Sequence, residues 1–183
     1  MFKIKISQEI VNHCEDQIRK YNFGRRSFAN GTPEQQFTGI LGQCVLMELF
    51  GLPLIDGSEG CDNGQDINYK GLMIDVKTMG RKGDVFPNYV NNLMGVQYNN
   101  FHPDLYIFCS LNKTNGELTV CGWIPKIEVK RKADHFPIGS VRTRRDGTKF
   151  ATKAELYEIP NRNLYDVNSF DELVSSIDTY YNK

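Results

Sequence analysis

Asp66, Asp75 and Lys77 fall within the fourteen residues Asp-Ile-Asn-Tyr-Lys-Gly-Leu-Met-Ile-Asp-Val-Lys-Thr-Met, positions 66 to 79, which otherwise read as two short strands. Side chains alternate along a strand, so Leu72, Ile74, Val76 and Thr78 share one face of the second run, and Met73, Asp75, Lys77 and Met79 share the other. With Lys70-Gly71 as a two-residue hairpin turn, in which Gly supplies one of the positive φ angles required, Tyr69 stands opposite Leu72 and Asp66 opposite Asp75. Like charges facing each other at roughly 5 Å destabilise a sheet unless a cation sits between them. A hard divalent ion suits paired carboxylates, and that is metal-site chemistry.

A third carboxylate comes from the preceding helix. Thr32-Pro33-Glu34-Gln35 reads as a helix start, with Thr32 as N-cap, Pro33 at the first helical position and Gln35 closing a capping box; Gly51 and Pro53 read as the stop. The helix is expected over residues 33 to 50. Phe37, Leu41, Cys44 and Glu48 recur at i, i+4, i+7 and i+11, so Glu48 projects from an otherwise apolar stripe, where a charge needs a reason. Gly39 and Gly42 each cost about 1 kcal/mol of helix propensity relative to Ala, which points to another backbone packed closely against this helix, the hairpin being the natural candidate.

Glu48, Asp66, Asp75 and Lys77, in that order and with the last two as Asp-Val-Lys on a strand, resemble the PD-(D/E)xK nuclease superfamily. The apolar flank from 72 to 74 suits the pattern, and Asp-Leu-Tyr-Ile-Phe from 104 and Gly-Trp-Ile from 122 look like later core strands of that group. Gln65 departs from the nominal Pro of the motif, at a position that varies within the family. The resemblance implies an α/β fold of mixed α+β type, a central mixed sheet flanked by helices with a restriction-endonuclease-like core, over a single domain, 1 to 183. It also implies a Mg²⁺-dependent endonuclease acting on DNA, with Mn²⁺ able to substitute. Asp66, Asp75 and Glu48 would hold the metal, directly or through water, with the backbone carbonyl of Val76 as a further ligand. Lys77 would position the attacking water and offset charge in the transition state. On this reading Asp75→Ala or Lys77→Ala abolishes cleavage and leaves the fold intact.

Each residue also has a structural explanation. Asp75 and Lys77 alone would be a surface pair on an edge strand, worth roughly 0 to 1 kcal/mol. Asp66 would open a strand, and Glu48 would be the exposed end of a half-buried helix. It is the convergence of three acids and a lysine that argues for a site.

The elements that must hold this set are ordinary. The 183 residues suit one domain, and 40% apolar with 24% charged residues is a globular composition. No signal pattern opens the chain and no run approaches the roughly 20 apolar residues of a membrane helix, so a cytoplasmic protein is expected. Cys14, Cys44, Cys61, Cys109 and Cys121 form no Cys-x-x-Cys, and reduced core thiols are expected. His13, His102 and His135 have no ligand spacing. Phe2, Ile4 and Ile6 alternate with lysines as a short strand, and Ser7 caps a helix with Ile10, Val11, Cys14, Ile18 and Tyr21 on one stripe. The loop carrying Arg25 and Arg26 and the loop carrying Asp56, Glu59 and Asp62 read as solvated. Residues 80 to 103 predict an irregular segment with at most one short helix near 92 to 98. Strands are expected over 105 to 109 and 118 to 124 around an Asn115-Gly116 turn, with Trp123 as a core anchor, and over 154 to 159. Ser169 and Glu172 predict a capping box for a final helix with Phe170, Leu173, Val174 and Ile177 inward.

Net charge is zero. Its distribution is uneven: residues 126 to 153 hold nine basic side chains against three acidic, a local balance of +6. Within them Arg142, Arg144, Arg145 and Lys149, around an Asp146-Gly147 turn, read as a basic hairpin able to lie along a phosphate backbone, or else as a solvated, salt-bridged surface. Three functions compete: the nuclease, a catalytically silent nucleic-acid-binding module of the same fold, and a hydrolase of some other phosphate ester. Restriction, phage replication or recombination, and repair all suit the nuclease. One such site cuts one strand, so a homodimer is a natural arrangement, although no interface is legible.

Overall fold

The computed structural model describes residues 1–23, 31–59, 64–143 and 147–182. Along the chain the elements are β1 (Phe2–Lys5), α1 (Gln8–Lys20), α2 (Pro33–Leu49), β2 (Ile67–Tyr69), β3 (Leu72–Arg81), β4 (Val90–Met94), α3 (Gly95–Asn100), β5 (Leu105–Asn112) and β6 (Glu117–Pro125), followed by α4 (Val129–Lys132), β7 (Asp134–Phe136), β8 (Val141–Thr143), β9 (Lys149–Ala151), β10 (Leu156–Pro160) and α5 (Phe170–Tyr181). Five strands form a mixed sheet in the order β1-β6-β5-β3-β2. The β3–β5 pair is parallel and the others are antiparallel. All eight residues of β5 are buried, as are all but the first of β6. Strands covered on both faces read as continuous apolar runs, which is how they stand in the sequence.

Long helices cover one face only. Ile10 and Cys14 of α1, Leu41 and Leu46 of α2, and Leu173 and Ile177 of α5 pack on Ile74, Val76 and Ile107. The other face, carrying Tyr106, Phe108 and Ile124, packs on Leu93, Tyr157, Ile159 and Val129. A second sheet, β4-β10-β7, and short α4 supply that cover. Trp123 is fully buried, stacks on Tyr165 at 4.7 Å and donates from Nε1 to Ser176 Oγ at 3.1 Å, which makes it the expected anchor.

Local chemistry sets the boundaries. Lys70 and Gly71 both adopt positive φ, 50° and 86°, as a tight hairpin turn demands, and the pairs Tyr69↔Leu72 and Ile67↔Ile74 follow. The Asn68 carboxamide oxygen accepts from the Gly71 amide at 3.1 Å and holds the turn. Both arms of the Thr32/Gln35 capping box are present, and Gly51 at φ 67° ends α2. Ser7 caps α1 through the Ile10 amide. In α5, Ser169 caps the Glu172 amide as expected, but the Glu172 carboxylate accepts from the Asn168 amide, one residue outside the usual box. The segment from 80 to 103 departs from expectation. Val90–Met94 is a strand paired with β10, and the side-chain amide of its Asn91 donates to the Ile159 carbonyl and to Asn161 Oδ1.

Of the two glycines in α2 only Gly42 marks a close approach. A Cβ there would sit 2.0 Å from Thr78 Oγ1 on β3, whereas at Gly39 it would meet nothing within 4 Å. Gly42→Ala is therefore expected to destabilise by about 1–3 kcal/mol through overpacking. Gly39→Ala should stabilise by about 0.5–1 kcal/mol through helix propensity. Denaturant midpoints of the two variants check this pair of opposite signs.

Candidate active site

Asp66 stands one residue before β2, level with Asp75 by continuation of the register. Since β2 has ended, the β3 backbone there finds a side chain in place of a strand: Asp66 Oδ2 accepts from the Val76 amide at 2.6 Å. The N–H and C=O of one strand residue point toward the same neighbour, so the Val76 carbonyl is directed to the edge that Asp66 occupies. Asp75 and Lys77 lie on the opposite face from Ile74 and Val76, beside Tyr106 and Phe108 of the parallel strand. Lys77 Nζ is 2.5 Å from Asp75 Oδ1, with side-chain exposures of 16% and 1%. Asp75 is therefore buried and Lys77 partly so, unlike a surface pair on an edge strand. Gly64, at φ 78°, brings its backbone against it: a Cβ at Gly64 would lie 3.0 Å from both Asp75 Oδ2 and the Phe101 ring.

Two groups reach this corner from elements distant in sequence. Tyr106, fully buried, is the register partner of Asp75. Burial first, then the charge of Asp75 and the nearby Tyr98, hold its phenol well above the usual range. Lys126, just after β6, donates to the Phe101 carbonyl, sits 3.2 Å from His102 Nδ1 and 5.2 Å from the centre of the Tyr98 ring. Burial lowers the pKa of its amine, against which the charge of Asp75 acts. Neither residue carries a local motif; only the strand register and the β6 exit bring them here.

Glu48 lies apart from this set. It is exposed near the end of α2, while its stripe-mates Leu41 and Cys44 are buried, and α2 covers the face of Ile74, Val76 and Thr78, opposite to Asp75 and Lys77. Periodicity gives the direction of a side chain but not its neighbour, which is why the stripe misplaces Glu48. The α2 residues that approach Asp66 are Gln43 and Met47, which line with it a groove of about 520 Å³ along β2. Gln43 is 8% exposed, and the sequence reading missed it; its amide within the apolar run of α2 is the signal that could have found it.

The donor set suits a hard cation. Asp66, Asp75 and the Val76 carbonyl are oxygen donors at one end of the hairpin. Among the described residues no three His, Cys, Asp or Glu side chains group to hold an ion. Mg²⁺ commonly binds through only one or two carboxylates, with water and substrate phosphate completing its shell, so two carboxylates and a carbonyl fit it. Asp62 and the side chain of Glu59 lie outside the described residues. Cys14, Cys44, Cys109 and Cys121 are buried free thiols, and Cys61 also lies outside.

The basic hairpin is partly committed to the fold. β8 and β9 pair as expected, but the Arg142 guanidinium bonds to Glu158, whose side chain is 6% exposed, and lies 4.2 Å from the centre of the Phe136 ring. Part of its charge is therefore balanced by Glu158 within the fold. Lys149 is exposed on β9, and Arg144 and Arg145 lie outside the described residues. Arg142→Ala is expected to cost about 2–3 kcal/mol, below the full value for a buried pair because Arg142 keeps partial exposure. Lys149→Ala should stay within about 0.5 kcal/mol, as surface substitutions do; urea unfolding of both variants checks the contrast. Among the described residues no helix is long and apolar enough to cross a membrane. No family model, no curated protein and no solved structure matches this chain.

Proposed function

We propose that this chain is a Mg²⁺-dependent nuclease that hydrolyses DNA phosphodiester bonds, on a restriction-endonuclease-like core of the PD-(D/E)xK type. The observation that carries the reading is the buried Asp75–Lys77 pair, set on a central strand beside Asp66 and the Val76 carbonyl. A buried ion pair is often no more stabilising than apolar packing, so its presence here asks for a use. Asp66, Asp75 and the Val76 carbonyl would hold the cation. Bound there, Mg²⁺ or Mn²⁺ supplies a more acidic water and neutralises charge on the phosphate. Lys77, fixed by Asp75, directs its ammonium at the attacking water and at the charge that develops on phosphate oxygens. Lys126, whose charge interacts with Asp75, adds a second cation near the site.

The silent nucleic-acid-binding module has one observation in its favour: at 1% exposure, with Gly64 against it, Asp75 resembles a core ion pair. Thermal unfolding with Mn²⁺ and Mg²⁺ separates the two readings. A one-site cation at 100 times its Kd adds about 2.7 kcal/mol by linkage. For a chain of this size that is a Tm rise of roughly 5–10 °C. No rise with either ion, up to the highest concentration that leaves Asp75→Asn unaffected, favours the silent module.

A further inference from the structure

The Tyr106 hydroxyl is a cost in this structure. It is fully buried and has no hydrogen-bond partner among the described residues, although a buried hydroxyl ordinarily finds one. Removing it would leave an isosteric Phe in an apolar layer with Phe108, Leu93 and Ile124. Its location suggests why it is kept. Tyr106 leaves β5 directly beside Asp75 on β3 and on the same face, and the Asp75 carboxylate is turned toward Lys77. Carboxylates that ligate metals are themselves held by hydrogen bonds, and those outer partners set affinity and orientation.

We propose that Tyr106 is a positioning residue for the cation: its hydroxyl donates to the Asp75 carboxylate when a divalent ion shares that carboxylate with Lys77. This rests on the metal site proposed above. Without the ion Asp75 is held by Lys77 and the hydroxyl stays unsatisfied; with the ion bound the carboxylate turns and the hydroxyl gains its partner. Binding thereby recovers a desolvation cost already present in the fold.

The test is Mn²⁺ titration of wild type and Tyr106→Phe by calorimetry, with thermal unfolding of both proteins in chelator. The expected result is a Tm in chelator equal to or above wild type, with Mn²⁺ affinity 10- to 100-fold weaker, the loss typical of outer-shell hydrogen bonds. A merely structural tyrosine would leave affinity unchanged, and unchanged affinity overturns the proposal while the metal site stands. A lower Tm, or a variant that does not fold, also overturns it, because the hydroxyl would then have a structural partner. Absence of Mn²⁺ binding by wild type removes the metal site and this proposal together.

Discussion

Lys77→Met is expected to slow Mg²⁺-dependent DNA cleavage by about 10²–10³-fold, the usual loss when one preorganised donor to a developing negative charge is removed. Nζ is held 2.5 Å from Asp75 Oδ1 and only 16% of the side chain is exposed, so no solvent cation takes the same position. Methionine keeps the length and apolar stem, which separates the charge from the packing. Lys77→Arg should recover little, because a planar guanidinium does not place a compact point charge in the same space. Single-turnover rates at saturating Mg²⁺ give the comparison. Equal rates for wild type and Lys77→Met would remove lysine from the mechanism.

Asp75→Ala is expected to lower the unfolding free energy by about 3–5 kcal/mol in addition to ending cleavage, because it leaves a partly buried ammonium without its partner. The reading of this pair as an exposed surface pair does not hold for Asp75, which is 1% exposed. The flexible stem of Lys77 allows the ammonium to reach toward water, which places the expected loss toward the lower end. The double variant Asp75→Ala/Lys77→Met should recover much of it, since replacing both members of a buried pair is often close to neutral. Urea unfolding of wild type, both single variants and the double variant closes the cycle. A single-variant loss below about 1 kcal/mol, the range of an exposed pair, would contradict the burial argument.

What the sequence made legible is local. The caps at Ser7, Thr32 and Ser169 and the Lys70-Gly71 turn act over three or four residues, so helix starts and the hairpin register are readable from residue types. The facing of Asp66 and Asp75 follows from that turn and nothing more remote. What was not legible depends on long-range pairing. The polar β4 becomes a strand because β10 pairs with it and Asn161 accepts from the Asn91 amide. Tyr106 reaches Asp75 through a parallel register some thirty residues away, and Lys126 through the exit of β6. Glu48 lies on the right helix, but the sheet face it addresses is fixed by Gly42 against Thr78. Arg142 reads either as a phosphate contact or as a salt-bridged surface residue, and only the fold brings Glu158 beneath it.

The most direct measurement is incubation of the purified protein with supercoiled plasmid, single-stranded DNA and branched DNA, with Mg²⁺, with Mn²⁺ and with chelator, alongside Asp75→Asn. Wild type is expected to cut at least one substrate in a metal-dependent way, and Asp75→Asn none. Cleavage that persists in chelator, or at the wild-type rate in Asp75→Asn, would contradict the proposed function.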